Sequence, residues 1–375
     1  MTSRRIVGIV VALLLGTAAL AGCGQQGTWN DPQLAGNNDP STPSAAPSSH
    51  HTDSATTFTL SAVGDTLMAN APAYVPADDG KQIFADLTDD LHSDLQMANL
   101  EEPLANSSTS NKCGADLGKT CFAYRAPTAF AQTLHDAGFD LVNIANNHLL
   151  DQGPSGRTST ENALTAAGVK FTGPPGVITM TTVKGVKIAV VGFAPYSWAN
   201  NLINISACAK LIQQAKSKAD VVIVQAHMGG EGINYQHVTP GTQTFLGENR
   251  GDAIKFSHAM IDAGADIVIG HSPHVLRGME FYKGHLIAYS LGNFVGYHAL
   301  ALNGPEAISM ILRVTLRADG SFVSAKMVPI KLVSPGLPEL DAKHQAIPLV
   351  RSLTQADFPD TGAQITDTGA IKPRA

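Results

Sequence analysis

Three stretches of this chain share one grammar: "LHDAGFDLVNIA", "LTAAGVKFTG" and "MIDAGADIVIG" each run from an amphipathic helical turn through a Gly into apolar residues. Glycine ends a helix there because it enters the left-handed backbone region without a Cβ penalty. The apolar run that follows has the composition of a strand buried on both faces. Helices alternating with such strands predict βαβ units, hence an α/β fold whose parallel or mixed sheet is covered on both sides. The units differ in length and share no side-chain pattern, so a solenoid is excluded. Further strands are expected at 58–63, 95–100, 187–193, 220–226 and 285–291, with an antiparallel hairpin formed by 308–316 and 321–330 across "RADG".

Around this core the chain divides into four parts. Arg4 and Arg5 precede an apolar stretch, Ile6 to Leu20, that is short for a bilayer span and suited to a secretory signal. "LAGC", residues 20–23, resembles the lipobox of bacterial lipoproteins. That resemblance implies that residues 1–22 are removed and that Cys23 is lipidated, anchoring the protein to the membrane on its extracytoplasmic face. Residues 23–57 are too poor in large apolar groups to offset their ordering entropy and read as a disordered tether. Its reach on a flexible-coil estimate is about 30 Å. His50 and His51 within it are read as a solvated pair. Residues 58–334 have the composition of one globular domain, and 335–375 are expected to be an irregular tail.

Net charge is −6, and there is no Lys/Arg run, so a nucleic-acid footprint is excluded. Cys113 and Cys121 lie eight apart in a short Gly- and Ser-rich loop, which for a secreted chain predicts a disulfide. Cys208 falls in the periodic stretch "NISACAKLIQQAKSKAD" and is expected to be a buried helix residue.

The informative feature is what stands at the strand ends. "FTLSAV" runs into Gly64-Asp65, "LQMANL" into Glu101, "LVNIA" into Asn147-His148, "VVIVQA" into His227, and "DIVIG" into His271 with His274 close behind. In open α/β sheets the carboxyl ends of the strands line the edge where ligands bind, so these side chains are expected to converge. Carboxylates, an amide and several imidazoles at one edge suit divalent metal ions. Each residue alone has an ordinary reading as a cap or turn, and Asn146 is read as the turn that aims its two neighbours.

The blocks "AVGDTLMAN" (62–70), "MANLEEPL" (97–104), "AGFDLVNIANNHLLDQG" (137–153), "QAHMGGE" (225–231) and "GADIVIGHSPHVLRGMEFYKGHLIAYSLGNFV" (264–295) together resemble the CapA-type proteins of poly-γ-glutamate capsule biosynthesis. That family is similar in fold to the calcineurin-like metallophosphoesterases. The resemblance spans residues 58–330 and implies an α/β/β/α sandwich, mixed sheets flanked by helices, with a metal centre at the strand ends. By position it implies Asp65 as the first metal aspartate, Glu101 as the bridging carboxylate, Asn147 as the amide ligand and His148 as the catalytic imidazole. His227 and His271 would bind one metal and His274 the other. The chain also departs from the pattern. Leu67 stands where Asp-x-His places an imidazole, Glu101 replaces Asp, and His271-Ser-Pro-His274 replaces Gly-His-x-His. One firmly held ion and a weak or absent second are therefore expected, with Mn, Zn and Fe all admitted by the ligand types.

For the substrate, Arg277, three residues after His274, is preferred to Arg125, Arg157 and Arg250 as the contact for an anionic group, with Glu231 and Asn293 completing the substrate-facing set. Ser290 lacks the Gly-x-Ser-x-Gly setting of a nucleophile elbow, so a serine hydrolase is not expected. Two functions remain open. One is a metal-dependent hydrolase-type enzyme of the cell surface, acting on a phosphoester or an anionic surface polymer. The other is a non-catalytic, membrane-tethered subunit of a polymer synthesis or export complex.

Overall fold

The computed structural model describes residues 55–374 apart from 109, 111 and 115–120. The expected signal peptide, Cys23, His50 and His51 lie outside the described residues. Among those described, the strands in chain order are β1 (Thr57–Leu67), β2 (Leu95–Leu100), β3 (Leu141–Asn143), β4 (Lys170–Thr172), β5 (Thr179–Val183), β6 (Val186–Phe193) and β7 (Val221–His227). A small hairpin, β8 (Thr244–Phe245) and β9 (Glu248–Asn249), precedes β10 (Ile267–His271), β11 (Met279–Tyr282), β12 (His285–Ala288) and β13 (Asn293–Gly296). The series ends with β14 (Ile308–Arg317), β15 (Phe322–Val333), β16 (Leu337–Leu340), β17 (Gln364–Ile365) and β18 (Ala370–Lys372). The helices are α1 (Thr88–Leu91), α2 (Phe130–Asp136), α3 (Gly153–Ala167), α4 (Ile205–Lys216), α5 (Ala253–Asp262) and α6 (Ala346–Asp357).

Two mixed sheets result. One has the order β17-β18-β15-β14-β1-β2-β3-β4, with β13 also on β1 and β16 on β15; the other is β11-β12-β10-β7-β6-β5. Side-chain alternation explains how they stack. Phe58, Leu60 and Ala62 of β1 and Val221 and Ile223 of β7 point into one shared core between the sheets. The intervening Val222 and Val224 of β7 pack outward on Cys208 and Ile212 of α4 and Phe256 and Met260 of α5. On the other side Val63, Leu100 and Val142 pack on Phe130 and Leu134 of α2 and Leu164 of α3. Each such side chain, taken wholly out of water, contributes about 1.5–3 kcal/mol. The architecture is thus the four-layer α/β/β/α sandwich expected. The glycines of the three repeated stretches, Gly138, Gly168 and Gly264, all have positive φ. At Gly168 the N–H closes the last turn of α3 on the carbonyls of Leu164 and Thr165 before the chain enters β4. Cys208 is buried in α4 as expected, and burial pushes its thiol up to about 12.

Residues 335–375 correct the expectation of an irregular tail. β16 pairs antiparallel with β15, β18 extends the first sheet beyond β15, and α6 sends Ala346, Ile347 and Val350 into the core between the sheets. Prolines and glycines mask this in the sequence, yet Pro348 sits in the first turn of α6, where its missing N–H costs nothing.

Parallel pairing places the site. β1 runs parallel to β2 and β13, β2 to β3, and β7 to both β6 and β10. Their carboxyl ends therefore share one edge of the sandwich.

Candidate metal centre

β1 does not stop at Val63 but continues through Gly64-Asp65, where its register with both neighbours shifts. Such a bulge re-aims a side chain, here Asp65. Gly64 is required, because a Cβ there would lie 1.9 Å from the carbonyl oxygen of Gly292. The close approach lets the Asp65 N–H donate to that carbonyl at 2.9 Å.

Asp65, Glu101 and His227 bring one ligand atom each to within 4.8 Å of one another, and all three are buried. Around them, His271 Nδ1 lies 3.8 Å from Asp65 Oδ1, His274 Nδ1 3.2 Å from Asp65 Oδ2, and His274 Nε2 3.6 Å from Glu101 Oε1. His227 Nε2 is 3.9 Å from Glu101 Oε1. Asp65 Oδ2, both Glu101 oxygens, both His227 nitrogens, His271 Nδ1 and Asn147 Oδ1 are buried without a hydrogen-bond partner. An unsatisfied buried polar group costs about 1–3 kcal/mol. Carboxylate oxygens, an amide oxygen and one lone pair from each neutral imidazole among them suit a divalent cation in chemistry.

Outer partners select which lone pair each imidazole presents. Gln225, two residues before His227 on the same face of β7, donates its amide to Met97 Sδ at 3.5 Å and so offers Oε1 to His271 Nε2 at 3.2 Å. That leaves His271 Nδ1 free toward the carboxylates. Asn293 Oδ1 takes His274 Nδ1 at 2.7 Å, leaving Nε2 toward Glu101 and Glu231. Such partners fix tautomer and ring orientation at metal sites.

The electrostatics match this crowding. Burial raises the Glu101 carboxyl well above its usual range, and the Asp65 charge adds to the effect. Burial alone would raise Asp65 too, but the adjacent His274 imidazole, with His271 and His227, holds it well below. Burial pushes His227 far down and His271 to about 4, so both imidazoles are neutral and their lone pairs available. His274 departs from them: burial opposes its charge, but Glu101 and Asp65 raise it well above the ordinary value.

Asn147 and His148 follow β3 at the same edge. Asn147 Nδ2 donates to Glu231 Oε1 at 3.3 Å, which directs its partnerless Oδ1 elsewhere. His148 Nδ1 stands 2.6 Å from Asp151 Oδ2, and its ring lies 4.7 Å from that of Tyr124. Asp151 also pairs with Lys112 and accepts the Tyr124 N–H at 2.7 Å. Asn146 is a turn residue as expected: its Nδ2 donates to the Leu100 carbonyl at 2.8 Å and its Oδ1 accepts the His148 N–H at 3.1 Å. Cys113 and Cys121 are joined as a disulfide, next to Lys112 in the same loop.

Two expectations about the substrate set are corrected. Arg277 is fully buried: Nε donates to the Tyr235 carbonyl at 2.7 Å and Nη2 to Gln243 Oε1 at 2.9 Å, tying down the loop after β7, while Nη1 has no partner. The residues between His274 and Arg277 are not helical, so a three-residue spacing does not put the two side chains on one face. Asn293 is engaged by His274 and by the Glu306 carbonyl, to which it donates at 3.0 Å, and so orients a ligand rather than facing substrate. Glu231 does reach the centre, and its partner there is Arg250, 2.7 Å away. Arg250 in turn lies against the rings of Tyr196 and Phe245. Sequence reasoning did not single out Asn99, Asn143, Gln225 or Asp151 as site residues. For Gln225, Asn99 and Asp151 a signal existed, since two lie two positions before His227 and Glu101 and the third three positions after His148.

The family described as bacterial capsule synthesis protein PGA_cap matches residues 59–298. The chain belongs to this family, as the sequence blocks implied. It is 30% identical over 276 residues to the capsule biosynthesis protein CapA of Bacillus anthracis, covering 68% of this chain and 63% of that protein. To the PGA biosynthesis protein CapA of Bacillus subtilis strain 168 it is 30% identical over 257 residues, covering 64% of this chain and 63% of the relative. The chain thus spans 63% of the length of either relative. Among solved structures, a 5'-nucleotidase precursor from Thermus thermophilus is 14% identical, with a TM-score of 0.44 over 80% of this chain and 59% of that one.

Proposed function

We propose that this protein is a membrane-tethered, metal-dependent hydrolase-type enzyme of the cell surface that acts on a phosphoester or an amide-linked anionic polymer such as poly-γ-glutamate. The observation that carries this reading is the set of buried, partnerless ligand atoms on Asp65, Glu101, Asn147, His227 and His271. A protein interior does not keep such a set without a ligand to satisfy it. Asp65, Glu101 and His227 would hold the cation, with Asn147, His271 and His274 completing its surroundings. When bound, a divalent cation such as Mn, Zn or Fe polarises a phosphoryl or carbonyl oxygen and lowers the pKa of water.

This chain's own residues would do the rest. His148, held through Nδ1 by Asp151, presents Nε2 as a group that gives or takes a proton at the leaving atom. Asp151 fixes the tautomer for that task. Lys112 pairs with Asp151, and Arg250 with Glu231 and Glu248, so both cations steady carboxylates around the centre.

A second reading has one observation in its favour. Leu67 is wholly buried at the position where a second imidazole ligand is expected, which favours a reading with one firmly held ion and a second weak or absent. That suits a tethered, non-catalytic subunit working with other components of polymer synthesis or export. Elemental analysis of wild type, His227→Ala and His271→Ala, with hydrolysis assays on a model phosphodiester and on poly-γ-glutamate, separates the two. About one ion per chain in wild type, lost in the variants, together with turnover supports the enzyme. Metal without turnover on either substrate shifts the assignment to the assembly subunit. No metal after reconstitution with Mn or Zn overturns the metal-site reading.

A further inference from the structure

Asp65 sits in a row of polar side chains that crosses the first sheet below the proposed metal site. In register across adjacent strands stand Asn293 on β13, Asp65 on β1, Asn99 on β2, Asn143 on β3 and Thr172 on β4, and every one is buried. Polar residues in the middle of a buried sheet are costly unless satisfied, and three of these satisfy one another in a fixed direction. Asn143 Oδ1 accepts the Ala145 N–H at 3.2 Å, while its Nδ2 donates to the Ala145 carbonyl at 3.1 Å and to Asn99 Oδ1 at 3.0 Å. The backbone of Ala145 thus settles which way the Asn143 amide faces. With Oδ1 of Asn99 taken, its Nδ2 can only point to Asp65, and it donates to Asp65 Oδ1 at 2.8 Å. A donor at the end of the chain demands an acceptor, which an ionised carboxylate is.

We infer that Asn99 and Asn143 are positioning residues for the cation: an amide relay, anchored on the Ala145 backbone, that holds Asp65 Oδ1 and so presents Oδ2 alone. The inference rests on the metal reading and deepens it. Two consequences distinguish the relay from ordinary core polarity. Oδ2 is the Asp65 oxygen left without a hydrogen-bond partner, while Oδ1 is the one the relay takes. Ala145 also lies two residues before Asn147, so the relay ties the ligand on β1 to the end of β3. The space is closed on the far side as well: a Cβ on Gly192 would fall 2.2 Å from Asn143 Oδ1, so the second sheet seats the amide.

The test compares Asn99→Leu and Asn143→Ala with Thr172→Val. Thr172 is a buried member of the same row whose hydroxyl bonds the Val190 carbonyl and the Gly192 N–H instead of the relay. For each protein three quantities are read: the Kd for Mn²⁺, the visible absorption spectrum of the Co²⁺ form, and the Tm of the metal-free protein. Loss of such outer partners typically weakens metal binding by about 10–100-fold. Asn99→Leu is expected to lose affinity on that scale and to change the Co²⁺ spectrum, with Asn143→Ala changing both in the same direction by less. Thr172→Val is expected to lower Tm while leaving Kd and spectrum unchanged. If Asn99→Leu does not fold, Asn143→Ala carries the test. Wild-type Kd and spectrum in the relay variants overturn the inference and leave the metal site standing. Wild type that takes up neither ion overturns the metal site and the relay with it.

Discussion

At the scale of single residues, the centre depends on positions that carry no chemistry themselves. Gly64 admits the Gly292 carbonyl so closely that any side chain would displace one strand or the other, and Asp65 is its immediate neighbour. Gly64→Ala is therefore expected to cost at least the about 1–3 kcal/mol typical of an overpacked core. In a domain of this size that is about 2–4 °C of Tm per kcal/mol. Because the strain falls on the bulge that aims Asp65, cation affinity should drop along with Tm. Calorimetry and Mn²⁺ titration of the variant check both, and unchanged affinity would mean that the bulge does not set the carboxylate. A contrasting residue is Leu67, whose apolar side chain fills its place completely and has no role beyond packing in this arrangement.

At the scale of elements, the sequence was most legible where one strand face or helix stripe had a single job. β2, β6, β7 and β14 fall within a residue or two of expectation, and β15 within three, because both their faces are apolar or regularly alternating. The meeting of Asp65, Glu101, His227, His271 and His274 was legible for the same reason, since parallel strands bring their carboxyl ends to one edge. Asn143 was not, because an amide inside a strand reads as a weak strand former until pairing puts it in register with Asn99. β5 is a half-exposed edge strand, and β11, β13, β16, β17 and β18 are only two to four residues long, so their formation depends on neighbours distant in sequence. α6 gives the sharpest test of such tertiary dependence. Ile347→Ala should cost about 2–5 kcal/mol as a large-to-small change in a core. Gln355→Ala, on the exposed face of the same helix, should stay within about 0.5 kcal/mol. Urea midpoints of the two variants measure the difference, and equal midpoints near wild type would return residues 335–375 to the status of a loose tail.

At the scale of the whole molecule, the direction of β1 sets where an anchor and the site would stand. Thr57 begins β1, and Asp65 lies near its far end. At about 3.3 Å per residue the two are ~26 Å apart on opposite edges of the sheet. Thr57 thus stands at the end of β1 away from the proposed metal site. Anchoring through Cys23 and cation binding are proposed to be independent properties. Cys23→Ala is expected to move the protein out of the membrane fraction, or to block its maturation, while any soluble form keeps the wild-type Kd for Mn²⁺. Fractionation followed by titration reads both quantities from one preparation. Membrane retention in the variant would refute the lipid anchor. Release accompanied by lost cation binding would refute the independence of the two properties.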